Sequence, residues 1–319
     1  MDEVTGLAEV RRKKLQSLGE RLQRQLTDLQ NPPDCSRTRL LIVRFTDPDC
    51  DFLCQVRHAT LALSVGLVLK RTVVLGNNAG MGKREQNQDW VDLFLPLSKC
   101  TSSDGAGENM VLESNTPLDP TIAPPALPSD WVDLLADLHG NPYAWFRGQM
   151  LVYLWRYRDK SKRQRLETRI EQLRRTAEQK ASNVTSFRPP LAGLDVRQLP
   201  PLTRPTNYTL ALERFFEYKH MEYQVKTDLR EDPWEKPGAR RVFLATDDPN
   251  LQSRLRAQYP EYEVIAGGSA AHTLEDQVND VFLLASTEFL VCSLRSPVCL
   301  LAYELMQADN ALNGDASLQ

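Results

Sequence analysis

Leu15, Leu18, Leu22, Leu26 and Leu29 recur at three-and-four spacing between charged residues. That pattern predicts one amphipathic stem helix over residues 1–31, also suited to a short coiled coil. Asn31-Pro32-Pro33 ends it. Beyond it the period changes. Leu40 to Val43 and Thr72 to Leu75 are short apolar runs of strand character, and Ala59, Leu63 and Gly66 mark a helix between them. An α/β unit is therefore expected from Arg39 to about Leu97. Residues 101–130 are rich in Ser, Asn, Gly and Pro and read as a long surface loop. A helix starting near Pro142 is expected to bury Trp145, Gln149 and Tyr153. The basic segment after it carries Glu171 and Arg175 at i,i+4 spacing, as a solvated helix with surface ion pairs does.

Residues 240–307 have the plainest pattern. Strands at 240–245, 262–265 and 288–293 alternate with helices at 249–258, 273–285 and 298–307, as in a doubly wound parallel sheet. Ligands of such sheets collect beyond the carboxyl ends of the strands. Asp247 and Asp248, in "RRVFLATDDP", stand at one such end, and Leu294-Arg295-Ser296 at another. Asp248 before Pro249 reads as an N-cap followed by a proline at the first helical position, which leaves Asp247 to face the crevice.

A chain of 319 residues suggests two main domains, with boundaries read here as 1–31, 32–180 and 181–319. A net charge of −3 gives no general attraction to nucleic acid. No apolar run approaches the roughly 20 residues of a membrane span, and no secretory signal follows Met1. Among six cysteines, Cys50 and Cys54 lie four apart and Cys292 and Cys299 seven apart. Either pair could close a small disulfide loop of the kind found in oxidising compartments; for the first, a zinc site with His58 is the weaker alternative. Triplets at Asn183 and Asn207 fit N-glycosylation sites of a lumenal protein. In "AGMGKREQ", Asn77 and Arg84 stand where a phosphate-binding P-loop needs Gly and Ser or Thr. No dinucleotide fingerprint, H-E-x-x-H or G-x-S-x-G occurs.

Four stretches in order, "RLQRQLTDLQNPPDCS", "VDLLADLHGNPYAWFRGQMLVYL", "RRVFLATDDPNLQSRLRAQYPEYEVI" and "STEFLVCSLRSPVCLLAYELMQ", closely resemble the animal α-1,6-fucosyltransferases of glycosyltransferase family 23. The resemblance implies an open α/β domain followed by a Rossmann-like nucleotide domain, a GT-B-like plan. It implies a Golgi enzyme, with anchor and terminal Src-homology-3 domain outside this stretch. The implied reaction is transfer of fucose from GDP-fucose to the 6-hydroxyl of the innermost GlcNAc of an N-glycan, inverting and without metal or other cofactor. It further implies the disulfides Cys35–Cys100, Cys50–Cys54 and Cys292–Cys299, with GDP-fucose and an N-glycan acceptor as partners. The amphipathic stem helix, over residues 7–29, also suits a homodimer of a secretory binding protein derived from that family without turnover, the alternative reading.

Leaving-group stabilisation in such a displacement needs cations on the diphosphate, and the attacking hydroxyl needs a base. The family's strand-end motif falls on "LDVRQLPPLTRP" at 194–205. Arg197 then takes the phosphate arginine's place, while Asp195 stands at a histidine position and Pro205 at that of the general base. Glu213 is the nearest acid that could substitute for that base. Asp280 falls where the family holds guanine, Ser296 where it contacts phosphate, and Asp247 beside a loop or sugar. Asp51 and Leu53 replace glycines of the small cysteine loop, where side chains would crowd a close backbone approach.

Overall fold

A computed structural model of the protein describes residues 2–47, 50–76, 93–105, 107–113, 127–175, 190–197, 205–228, 240–267, 273–293 and 295–313. By contact the chain forms two compact units, residues 1–163 with 303–314, and residues 164–302 with 315–319. The sequon at Asn183, the middle of the 194–205 motif, and Asn77 and Arg84 lie outside the described residues.

In the first unit, α1 (Asp2–Gln30) precedes β1 (Leu40–Arg44), α2 (Phe52–Leu69), β2 (Thr72–Leu75) and β3 (Met110–Glu113). The three strands form a parallel sheet in the order β2-β1-β3. Leu15, Leu22 and Leu26 of α1 are buried within the chain itself, and Gln23 Nε2 donates to the Gln149 carbonyl at 2.8 Å. Much of the leucine face expected to suit a coiled coil is thus used internally, while Leu7 and Val10 stay exposed. At the end of α1 the fully buried Gln30 takes the place of a neighbouring strand. Its amide donates to Val73 O at 3.2 Å and accepts from Val73 N–H at 2.8 Å, covering the β2 edge.

Helix α2 starts where Asp51 Oδ1 accepts from Cys54 N–H at 2.8 Å, an N-cap, so this side chain serves the helix end. Leu53 turns into the core. The absence of any span-length apolar run needs one correction, because α2 has 18 residues with a mean hydropathy of 1.5. Core packing accounts for that character, since Val56, Ala59, Ala62 and Leu63 are fully buried.

Strand β3 corrects the reading of 101–130 as loop throughout. It is a short edge strand whose Met110 and Val111 are exposed, so no buried alternation announces it. The unit is completed by α3 (Ser129–Ala136), α4 (Pro142–Leu154) and the later part of α9 (Pro297–Asn313). Asn141 Oδ1 caps α4 by accepting from Ala144 N–H, and Trp145, Gln149 and Tyr153 are buried as expected. Cys35–Cys100 and Cys50–Cys54 are disulfides of this unit. The basic segment after α4 forms α5 (Lys160–Arg175), with Leu166 and Leu173 as its buried residues.

The second unit holds β4 (Leu191–Val196), α6 (Pro205–Asp228), β5 (Arg240–Thr246), α7 (Leu251–Gln258), β6 (Tyr262–Ala266), α8 (Leu274–Ala285) and β7 (Phe289–Cys292). All four strands are parallel, in the order β6-β5-β4-β7. Two crossovers carry the chain from β4 out to β6, and the next returns it to the other side of β4. The sheet therefore has a topological switch point between β4 and β7. Both units are of the expected α/β class. One apolar face is packed by Leu212, Phe215 and Phe216 of α6 against Ala192, Leu194, Val242 and Leu244.

Helix α8 opens with a capping box. Thr273 Oγ1 accepts from Asp276 N–H at 3.2 Å while Asp276 Oδ2 accepts from Thr273 N–H at 3.1 Å. Thr273→Ala is expected to lower stability by about 1 kcal/mol, and a urea-midpoint shift at constant slope measures it; no shift would show the box to be idle. Helix α7 corrects the expectation for Asp248. The helix begins at Leu251 with Asn250 as its N-cap, two residues later than predicted. Asp248 instead closes the turn before it, with Oδ1 accepting from Asn250 N–H at 2.9 Å and Oδ2 paired with Arg254. Pro249 sits inside that turn, and its fixed φ suits the turn as well as a first helical residue.

Candidate functional site

Four functional groups meet where β4 and β7 separate. Asp195 is the fifth residue of β4 and pairs in register with Cys292 of β7; Arg197 follows the strand by one residue. Residues two apart on a strand share a side, and Arg197 Nε donates to Asp195 Oδ1 at 2.9 Å. From α8, Asp280 Oδ2 lies 3.5 Å from Arg197 Nη2. Ser296, between β7 and α9, donates from Oγ to Asp195 Oδ2 at 2.6 Å. The same Oγ accepts from Cys299 N–H at 3.3 Å, which caps the first turn of α9. The Cys292–Cys299 disulfide ties the end of β7 to that turn and so fixes the loop that carries Ser296.

The cluster is largely closed to solvent. Asp195 is 1% exposed, Ser296 2% and Asp280 4%. Burial pushes the Asp195 carboxyl above the ordinary carboxylate range. Arg197 and the Ser296 hydroxyl oppose that rise, and the charge of Asp247 adds to it. Asp247 follows β5, whose Thr246 pairs with Val196, so it belongs to the same strand ends. Gly267, just past β6, comes so near that a Cβ there would lie 2.5 Å from Asp280 Oδ1. A side chain at 267 would displace the acid.

Arg197, Asp280 and Ser296, singled out in the sequence, are thus brought together, with Asp247 at the neighbouring strand end. Asp280 is not a helix-surface carboxylate. Asp195, noted in the sequence only as standing at a histidine position of the family motif, is the member given no role there. Its signal was available, a carboxylate inside the apolar run "LAGLDV" two residues before an arginine. Glu213 is not brought to this edge. Its charge acts on the Tyr262 hydroxyl at the start of β6.

In the first unit, Cys50, Cys54 and His58 offer three donor atoms within 4.8 Å of one another. Both sulfurs are joined in a disulfide, so neither is a thiolate ligand. His58 is buried, and desolvation lowers its pKa, with the charge of Arg57 adding to the shift and Asp47 opposing it.

Comparison with known proteins gives this geometry a family. The model of alpha-(1,6)-fucosyltransferase N- and catalytic domains matches residues 1–318. Alpha-(1,6)-fucosyltransferase of Caenorhabditis elegans is 26% identical over 340 residues, covering 98% of this chain and 57% of that protein. The Drosophila melanogaster enzyme of the same name is 27% identical over 328 residues, covering 93% and 48% respectively. The chain spans about half the length of these relatives. Among solved structures, fucosyltransferase NodZ from Bradyrhizobium has a TM-score of 0.44 at 13% identity, covering 85% of this chain and 92% of that one. With nearly every residue from the leucine helix to α9 inside the matching family model, the chain belongs to the α-(1,6)-fucosyltransferase family.

Proposed function

We propose that the second unit is the sugar-nucleotide site of a fucosyltransferase and takes GDP-fucose at the switch point between β4 and β7. The observation that carries this reading is the placement of Arg197 there, beside Ser296 at the first turn of α9 and within ion-pair reach of Asp280. A guanidinium presents a planar fork that suits a diphosphate, and a helix N-terminus adds a favourable dipole. Asp280 is assigned to the guanine edge and Asp247 to a neighbouring loop or sugar. The proposed acceptor is the 6-hydroxyl of the innermost GlcNAc of an N-glycan, the transfer inverting and metal-free, and the setting the Golgi lumen. Three disulfides among the described residues fit such a compartment.

A second reading, a secretory binding protein without turnover, is favoured by one feature of the same site. Its buried carboxylate Asp195 is tied to Arg197 and Ser296, and the charge of Glu213 acts on the Tyr262 hydroxyl rather than on the Asp195 carboxyl, so neither is placed to take a proton from an acceptor there. Calorimetric titration with GDP, followed by transfer from GDP-fucose to a GlcNAc-terminated N-glycan, separates the two. Weak, saturable GDP binding with fucose appearing on the glycan supports the enzyme. Binding without transfer selects the second reading, and no binding at millimolar GDP counts against the site.

A further inference from the structure

Two groups assigned to a phosphate, the Arg197 guanidinium and the Ser296 hydroxyl, are both bound to Asp195, one to each carboxylate oxygen. The distances, 2.9 Å and 2.6 Å, are those of charge-assisted hydrogen bonds. A carboxylate that bridges a cation and a hydroxyl through two oxygens does what two oxygens of a phosphate would do. We propose that Asp195 is an internal stand-in for the diphosphate, and that this single side chain sets how weakly the site holds a nucleoside diphosphate. The proposal rests on the donor-site reading above.

The charge balance points the same way. One guanidinium meets Asp195 at its Nε edge and Asp280 near Nη2, and Asp247 adds a further negative charge at the next strand end. An incoming diphosphate must therefore displace or outcompete a carboxylate already in place. Asp195 is 1% exposed, so solvent does little to screen it.

The test compares wild type, Asp195→Asn and Asp195→Ser, each first shown to unfold cooperatively, by titration with GDP, inorganic pyrophosphate and guanosine. Removing one negative charge a few ångströms from a bound anion is worth at least about 10- to 100-fold at an effective dielectric between those of bulk water and a surface ion pair. Both variants are expected to bind GDP and pyrophosphate tighter by about that factor. Guanosine, which carries no phosphate, should bind all three proteins alike. The gain should vanish in Asp195→Asn/Arg197→Ala. Wild-type GDP binding that both substitutions leave unchanged or weaken would overturn the proposal and make Asp195 a positioning residue. GDP binding by none of the three would instead remove the donor-site reading itself.

Discussion

Arg197→Ala is expected to destabilise the second unit by about 3–5 kcal/mol at neutral pH, because it strips two buried carboxylates of their shared cation. The side chains of Asp195 and Asp280 are 0% and 6% exposed, so water cannot replace the guanidinium. The effect carries a pH signature. Burial already holds the Asp195 carboxyl above the ordinary carboxylate range, and the Arg197 guanidinium opposes the rise. Without Arg197 it rises further. A folded-state pKa above the unfolded value means that the native state holds the proton more tightly. The destabilisation is then complete above the folded value and fades as pH falls toward the ordinary aspartate range near about 3.9. Urea unfolding of wild type and variant at pH 7.5 and pH 5 reads this directly. Arg197→Lys keeps charge but not the fork, and should recover part of the stability while leaving GDP binding poor. Asp195→Asn/Arg197→Ala should be more stable than Arg197→Ala alone. An Arg197→Ala protein within 1 kcal/mol of wild type at both pH values would show that the ion pairs contribute little.

Much of the second unit was legible because its elements are regular. The apolar runs of β5, β6 and β7 and the periodic helices between them state their own period, and the end of β4 was placed through the family's strand-end motif, which contains Arg197. What the sequence withheld were features decided by neighbours. Asp195 looks like any acid until the ladder with β5 and β7 buries it. Asp248 carries the residue type of an N-cap, yet its carboxylate closes the preceding turn and pairs with Arg254, which moves the helix start to Leu251. Strand β3 lacks a buried face of its own and exists by pairing with β1. Glu213 was a candidate by proximity in sequence, but its charge acts on the Tyr262 hydroxyl and not on the Asp195 carboxyl.

Gly148→Ala is expected to cost the first unit about 3–5 kcal/mol, although alanine favours a helix over glycine by about 1 kcal/mol. A glycine in the middle of α4 is an expense that needs a reason, and α9 supplies it. A Cβ at 148 would lie 2.0 Å from the Glu304 carbonyl oxygen and 2.8 Å from the Ala308 Cβ. A Cβ has no rotamer to change and a helix carbonyl cannot turn aside, so the two helices would have to separate by about 1 Å or more to restore van der Waals contact. That movement loosens the buried packing of Trp145, Met150 and Leu151 on α4. It also strains the pair of Arg147 Nη2 with Glu304 Oε1 at 2.9 Å. Burial raises the Glu304 pKa while Arg147 and Arg57 oppose the rise, so separating α9 from α4 would leave a buried carboxylate with weaker compensation. Gly148→Val should be worse than Gly148→Ala, because its branched side chain adds volume on the same line of approach. Thermal unfolding orders the three proteins, and equal stability of Gly148→Ala and wild type would show the helices to be farther apart than 2.0 Å implies.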